Sequence, residues 1–276
     1  LYYPAVIRGI QDELDKVNHH LFLCTTDENI TKEKKYISDL LSKGVQGFIF
    51  LGTRSLDEDN RHIIKLSKTH PVCMVNDHIV GSNIYSIMID EVEGAYKAVE
   101  HLIGLGHRSI AFVNGNLPLT TFKYKLEGYR KALEVHKIPY DHRKVVYVHP
   151  YEDGGYDAGK QVLHFNDTPT AIFAASDQIA LGILRAFHEV GKNVPGDYSI
   201  IGFSDIPISQ QFYPPLTTVN QFPYLTGQLA TKTLLKLLNK TTVYQKRIFL
   251  EPQLTIRDSC KELKIIRGGK DESISL

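Results

Sequence analysis

Along this chain, short apolar runs alternate with amphipathic segments of ten residues or more. Val6, Ile10, Leu14 and Val17 recur at helical spacing around Pro4, so residues 4–18 read as a helix. "HLFLCTT" at 20–26 reads as a strand. A helix follows over 32–43, with Thr31 as candidate N-cap, Glu33 in the positive first turn and Gly44 as its stop. The alternation continues with strand 45–52, helix 59–69, strands 72–76 and 84–89, helix 91–104, strand 109–114 and helix 121–136. Strand 144–149, helix 153–165, strand 170–175, helix 177–190 and strand 198–204 extend it. Runs such as "TAIFAA" and "SIIGF" have no polar alternate positions, which implies burial on both faces. Such strands between long helices imply parallel sheets covered by helices, and they are too many for one compact open sheet. The pattern predicts an α/β chain of two doubly wound parallel-sheet subdomains. The polar stretch 261–276, ending "GGKDESISL", reads as a loosely ordered tail.

The strand ends change character abruptly. In "FAASDQIALGIL", Ser176, Asp177 and Gln178 separate two apolar runs. "SIIGFSDIP" leaves its strand through Ser204 and Asp205, and "PVCMVND" through Asn76 and Asp77. Ser176 or Asp177 as an N-cap accounts for one polar residue, worth roughly 1 kcal/mol. A repeated set of hydroxyls, amides and carboxylates implies more. In open parallel sheets, ligands lie beyond the carboxyl ends of the strands. Side chains of these types suit a ligand with many hydroxyl or ring N–H groups.

Composition narrows the function classes. With 276 residues, 42% of them hydrophobic, the chain can bury a substantial core. A net charge of +1 is not that of a domain that grips nucleic acid by itself. No apolar run approaches the roughly 18 residues that cross a membrane, and no secretory leader pattern is present. Cys24, Cys73 and Cys260 are far apart and odd in number, which fits buried thiols in a reducing cytoplasm. The Asn-x-Ser/Thr matches at Asn29, Asn166 and Asn239 read as chance. There is no phosphate-binding loop, zinc-protease helix or nucleophile elbow. His19 and His20 are adjacent and would point apart, while His101 and His107 read as helix-terminal cations. Glu152 and Asp153 read as the acidic first turn of a helix. Nothing forms a nucleophile–base–orienter set. The expectation is therefore no enzyme, no cofactor and no metal.

Several segments resemble the effector-binding core of the lactose-repressor/galactose-repressor (LacI/GalR) family of bacterial transcription regulators. They are "RGIQDEL", "TTDEN", "KGVQGFIFLG", "AVEHLIGLGHRSIAFVNG", "LEGYRKALE", "PTAIFAASDQIALGILRAFHEVGKNVPGDYSIIGFSDIP" and "PPLTTVNQ". The resemblance covers about residues 1–259. It implies a periplasmic-binding-protein-like type I fold, with a ligand cleft between the two subdomains. It places the N-terminal subdomain at 1–89 plus 222–243 and the C-terminal one at 90–221 plus 244–260. The chain would cross between them near 89–90, 220–222 and 243–245. It also implies homodimers that bind palindromic operator DNA through a helix-turn-helix domain not in this chain. The family's first strand, ahead of "YYPAVIRGI", is likewise not in this sequence, which opens on Leu1. The expectation is that the natural protein starts earlier and that this piece alone leaves a gap in the first core.

Position by position, the resemblance implies a set of ligand-binding residues. Tyr2 and Tyr3 fall where effector-stacking aromatics are common, and equally suit packing of a first helical turn. Asn76, beside Asp77, stands where many members have aspartate. Lys125 stands where arginine is usual, exchanging a planar fork for a compact charge on a flexible stem. It would favour an anionic effector if it points inward, although exposed lysines are commoner. Ser176 replaces a common asparagine, while Asp177 matches. Ser204 replaces a frequent aspartate, with Asp205 beside it. Gln221 matches, and Tyr151 or Pro150 lies near an aromatic position. The function implied is sensing of a small polar effector, a sugar or sugar derivative, by a cytoplasmic regulator. A secreted sugar-binding protein of a transporter would share the fold. A regulator controlled by a partner protein is a third reading.

Overall fold

In the computed structural model, residues 2–27, 29–52, 59–79 and 82–263 are described. The expected tail lies almost wholly outside them. Two sheets organise the chain. The first has four parallel strands in the order β1 (Phe48–Leu51), β2 (Val72–Val75), β3 (Tyr85–Ile89) and β9 (Arg247–Leu250). Helices α1 (Tyr3–Asp15) and α8 (Pro223–Leu238) pack together against it, with α2 (Ile30–Ser42) and α3 (Arg61–Leu66) as its other helices. Val6, Ile10, Ala230 and Leu234 from α1 and α8 bury against Cys73, Val75 and Ile87 of the strands. The two helices nearly touch through glycine: a Cβ on Gly9 would lie 2.1 Å from the Tyr224 carbonyl oxygen, and one on Gly227 2.1 Å from that of Val6.

The second sheet has six strands in the order β10 (Gln253–Thr255), β8 (Thr217–Asn220), β7 (Ser199–Ser204), β6 (Ala171–Ala174), β4 (Ile110–Gly115) and β5 (Val145–Val148). Only the β10–β8 pair is antiparallel. Its helices are α4 (Glu91–Gly104), α5 (Thr120–Val135), α6 (Glu152–Val162) and α7 (Asp177–Glu189), paired as α4 on α5 and α6 on α7. The uninterrupted apolar strands are buried on both faces, as such runs require: every residue of β6 has no exposed surface. Phe112 stacks on Phe173 at 4.8 Å between ring centres, which locks β4 to β6.

Four expectations need correction. Residues 21–26 form no strand among the described residues, and Phe22 and Leu23 are 59% and 61% exposed. Among the described residues, none pairs with them in a sheet. An apolar slot of about 550 Å³ opens instead, bounded by this segment, β1, α1 and α8. It lies where the resemblance puts a first strand. Second, the N-cap of α2 is Asn29, whose side chain accepts the Lys32 N–H at 3.0 Å; Thr31 is already inside the helix. Third, the last crossing between sheets comes later than 243–245. Arg247–Leu250 pairs with β3, so only Glu251 and Pro252 separate the two sheets there. Fourth, His101 does lie in the last turn of α4, but the surroundings of His101 and His107 work against a cation there. Burial lowers both pKa values, and the His107 ring lies between the Thr170 and Ser199 hydroxyls.

Candidate functional site

All three crossings leave from strand carboxyl ends: β3 into α4, β8 into α8, and β9 into β10. The ends of the two sheets therefore face each other across three short connections. Such ends carry no helix or ladder of their own, and several adopt unusual backbone conformations. Asn76 (φ 61°), Ser204 (φ 123°), Asp205 (φ 48°) and Phe222 (φ 49°) all have positive φ without being glycine. Conformations of this kind persist where surrounding structure imposes them, and they concentrate at binding sites. Between the sheets lies a pocket lined by Asn76, Asp77, His78, Met88, Ile89, Glu91, Thr120 and Tyr124. At about 20 Å³ it is nearly closed. That is room for about one water molecule, so a solute of sugar size enters only if the lobes part.

On the first lobe, the Asn76 amide donates to the Tyr2 hydroxyl at 3.0 Å, joining the end of β2 to the start of α1. The other Asn76 group, its Oδ1, is buried with no hydrogen-bond partner in the structure. A buried acceptor without a donor is costly unless something supplies one. Burial, partly offset by the Asn76 bond, pushes the Tyr2 phenol up to about 12. Tyr3 meets Tyr2 edge to face at 5.2 Å. It keeps 37% of its surface exposed. Its hydroxyl end is crowded, and burial, with Tyr2 and Glu91 nearby, raises its pKa. The buried Asp77 carboxylate accepts the His78 N–H at 2.6 Å. Burial, aided by Arg247, holds the His78 ring below the ordinary histidine value.

On the second lobe, Lys125 points inward and is 5% exposed. Its ammonium donates to the Ala175 carbonyl at 3.1 Å and lies 4.2 Å from the centre of the Phe203 ring. The Glu91 carboxylate stands 3.9 Å away and accepts the Thr121 hydroxyl at 2.6 Å. Burial pushes both groups toward neutrality, raising Glu91 and lowering Lys125, while each opposes the shift of the other. Helices α4 and α5 approach closely enough for this because of Gly128, whose Cβ would lie 2.2 Å from the Val92 carbonyl oxygen. Glu91 was missed in the sequence, where it passes for an ordinary acid in a first turn.

Asp177 does not face the pocket. It is fully buried: Oδ2 accepts the Ile206 N–H at 2.8 Å, and Oδ1 accepts the Thr218 hydroxyl. The residue ties the start of α7 to the ends of β7 and β8. Burial pushes its carboxyl up to about 6 against the pull of those two bonds. Ser176 is the N-cap of α7, accepting the Ile179 N–H at 3.2 Å. Asp205 is also engaged, by Arg257 at 2.7 Å, Asn220 at 2.9 Å and Thr255 at 3.0 Å. Ser204 ends β7 beside it, partly exposed. Gln221 is 5% exposed at the β8–α8 crossing. Tyr151 stands apart, 50% exposed on the edge beyond β5, with its ring 4.8 Å from that of His149. Of the expected set, Asn76 and Asp77 line the pocket; Tyr2 joins it through its bond to Asn76 and Lys125 through its contact with Glu91, while Asp177 and Asp205 brace the second lobe. No group of histidines, cysteines and carboxylates among the described residues has the arrangement of a metal site. No described helix is long and apolar enough to cross a membrane.

Two α/β lobes hinged by three connections, with polar strand ends turned toward a shared cleft, define a two-lobed solute-binding module. Residues 99–260 match the family described as periplasmic binding protein-like domain. Catabolite control protein A of Priestia megaterium is 34% identical over 264 residues, which are 95% of this chain and 78% of that protein. The HTH-type transcriptional repressor PurR of Haemophilus influenzae (strain PittEE) is 32% identical over 267 residues, covering 95% and 78%. Among solved structures, the transcription regulator CcpA of Lactococcus lactis superposes with a TM-score of 0.85 at 32% identity, covering 94% of each chain. A LacI family transcriptional regulator from Enterococcus faecium with bound ribose gives 0.84 at 30%, covering 95% of each. The chain belongs to the LacI/GalR family of transcriptional regulators, as their periplasmic-binding-protein-like effector core. It is a regulatory module, not an enzyme.

Proposed function

We propose that the cleft binds a small polyhydroxylated effector, a sugar or sugar derivative, and that binding shifts the balance between open and closed lobes. In the whole protein, a cytoplasmic homodimer on this reading, that shift alters operator affinity through a helix-turn-helix domain. Effector must bind one lobe arrangement more tightly than the other, because a solute with equal affinity for both moves nothing. The observation that carries the reading is the polar set at the strand ends, above all Asn76, whose buried Oδ1 accepts no well-formed hydrogen bond even with the Tyr3 hydroxyl beside the amide. A hydroxyl donor from a sugar would satisfy it. The regulators with bound ribose or cellobiose among the structural neighbours support the same class of ligand. A transporter's secreted binding protein shares the fold, but the relatives by sequence are regulators.

The test is a calorimetric titration of uncharged pentoses, hexoses and cellobiose into the wild type and Asn76→Ala. One sugar should bind the wild type, and the variant should bind it about tenfold more weakly, a loss of about 1.4 kcal/mol. Equal affinities would overturn the assignment of Asn76 to the site.

A further inference from the structure

The sequence leads one to expect that an inward-pointing Lys125 selects an anion. Lys125 does point inward, yet its charge is already matched. Glu91 lies 3.9 Å from it, with side chains 6% and 13% exposed respectively. The two residues sit on α5 and α4 of the same lobe, so parting the lobes does not separate them. Glu91 is held from two sides. Thr121 donates to its carboxylate, and as the first residue of α4 it sits at the positive end of a helix. A further carboxylate, Asp77, faces the same pocket from the first lobe, close enough for its charge to act on Glu91. His78, which also lines the pocket, is held toward its neutral form. The lysine's remaining donor capacity is partly used by the Ala175 carbonyl. With Lys125 matched, the Glu91–Lys125 pair presents no net positive charge to a solute.

We propose that Glu91 is a specificity-determining residue of the cleft: by matching Lys125 from within one lobe, it restricts the effector to uncharged polyhydroxyl compounds and rejects phosphate esters. This rests on the reading of the cleft as a sugar site. A phosphate group brought to Lys125 would have to displace the Glu91 carboxylate 3.9 Å away, and two anions held together in a largely water-excluded pocket repel far more strongly than in bulk water. Rejection of this kind is specificity by an unfavourable element rather than by an added contact. Binding a neutral sugar leaves the Glu91–Lys125 pair intact, and both groups keep hydrogen-bonding capacity for hydroxyls.

The experiment compares ribose, ribose 5-phosphate and inorganic phosphate, by calorimetry and thermal shift, on three proteins. These are the wild type, Glu91→Gln, and Glu91→Gln with Lys125→Met. Glutamine keeps an oxygen for the Thr121 hydroxyl, so the fold of the helix start is retained. In the wild type, ribose 5-phosphate and inorganic phosphate should give no binding or weaker binding than ribose. Glu91→Gln should move the preference toward ribose 5-phosphate by about tenfold or more, and inorganic phosphate should now raise its unfolding temperature. Adding Lys125→Met should abolish both gains. The proposal is overturned if the wild type prefers the phosphate ester, if Glu91→Gln gains nothing, or if the gain survives Lys125→Met. Loss of ribose binding throughout, with the phosphate gain present, would count against the sugar reading and in favour of the role of Glu91.

Discussion

The carboxylate of Asp177 accepts the backbone N–H of Ile206 from 2.8 Å away, across 29 residues of sequence. Its second oxygen accepts the Thr218 hydroxyl, and the residue is fully buried. A residue that belongs to the family's binding pattern therefore holds the second lobe's rim in shape here. Burial raises its carboxyl to about 6 from an ordinary 3.8. Because the folded value is the higher one, this group stabilises the fold fully below the ordinary value and loses that contribution as pH rises through about 6. The loss amounts to about 3 kcal/mol at ~1.36 kcal/mol per pH unit. Asp177→Asn cannot titrate. The stability gap between wild type and variant, measured by urea unfolding, should therefore narrow as pH rises from about 4 to about 6.5, the window set by the two pKa values. A gap independent of pH would contradict the raised value.

Arg257 and Asp205 form the second strut of the same rim, 2.7 Å apart with side chains 19% and 11% exposed. Arg257 also donates to the Leu216 carbonyl at 2.8 Å. Arg257→Ala leaves a mostly buried carboxylate without its cation and should cost about 3 kcal/mol in urea unfolding at neutral pH. A cost below about 1 kcal/mol, the usual worth of an exposed pair, would mean that the pair is solvated.

Tyr2 and Asn76 are the corresponding link on the first lobe. Tyr2→Phe removes the acceptor for the Asn76 amide while keeping the ring, and should destabilise by about 1 kcal/mol. The lost anchor should also weaken sugar binding, because Asn76 is then free to turn. Unchanged stability together with unchanged affinity would show that the 3.0 Å bond has no consequence.

The Gly128 contact fixes the spacing of α4 and α5, and with it the distance between Glu91 and Lys125. In Gly128→Ala the new methyl would lie 2.7 Å from the Ala95 Cβ as well as against the Val92 carbonyl, so the helices must move apart. Overpacking of this kind costs roughly 1–3 kcal/mol. Circular dichroism during thermal unfolding should show the loss. A neutral outcome would mean that the helix pair is looser than the structure shows.

The fold was largely legible because its two periods are strong. Runs such as "TAIFAA" announce buried parallel strands, and the spacing of Val6, Ile10 and Leu14 announces a helix. Failure came wherever a partner was needed. "HLFLCTT" has a strand's composition, but a strand exists only through its neighbour's hydrogen bonds. The β9 pairing with β3, which shifts the last crossing, joins segments some 160 residues apart and leaves no local mark. In the site, the polar strand end made Asn76 and Asp77 candidates and the resemblance added Lys125, but neither could say which carboxylates line the pocket and which brace the frame. Asp177 and Glu91 exchanged these roles. Both sit in the first turn of a helix, and only long-range contacts with Thr218, Ile206 and Lys125 tell them apart.

The central claim, that a small polar solute is held between the two lobes, is tested most directly by amide hydrogen exchange with and without the sugar found by calorimetry. The account predicts added protection at residues 76–78 on the first lobe and 120–125 on the second, appearing together at the same sugar concentration. Protection confined to one lobe, or appearing at the apolar slot between β1 and residues 21–26 instead, would contradict it.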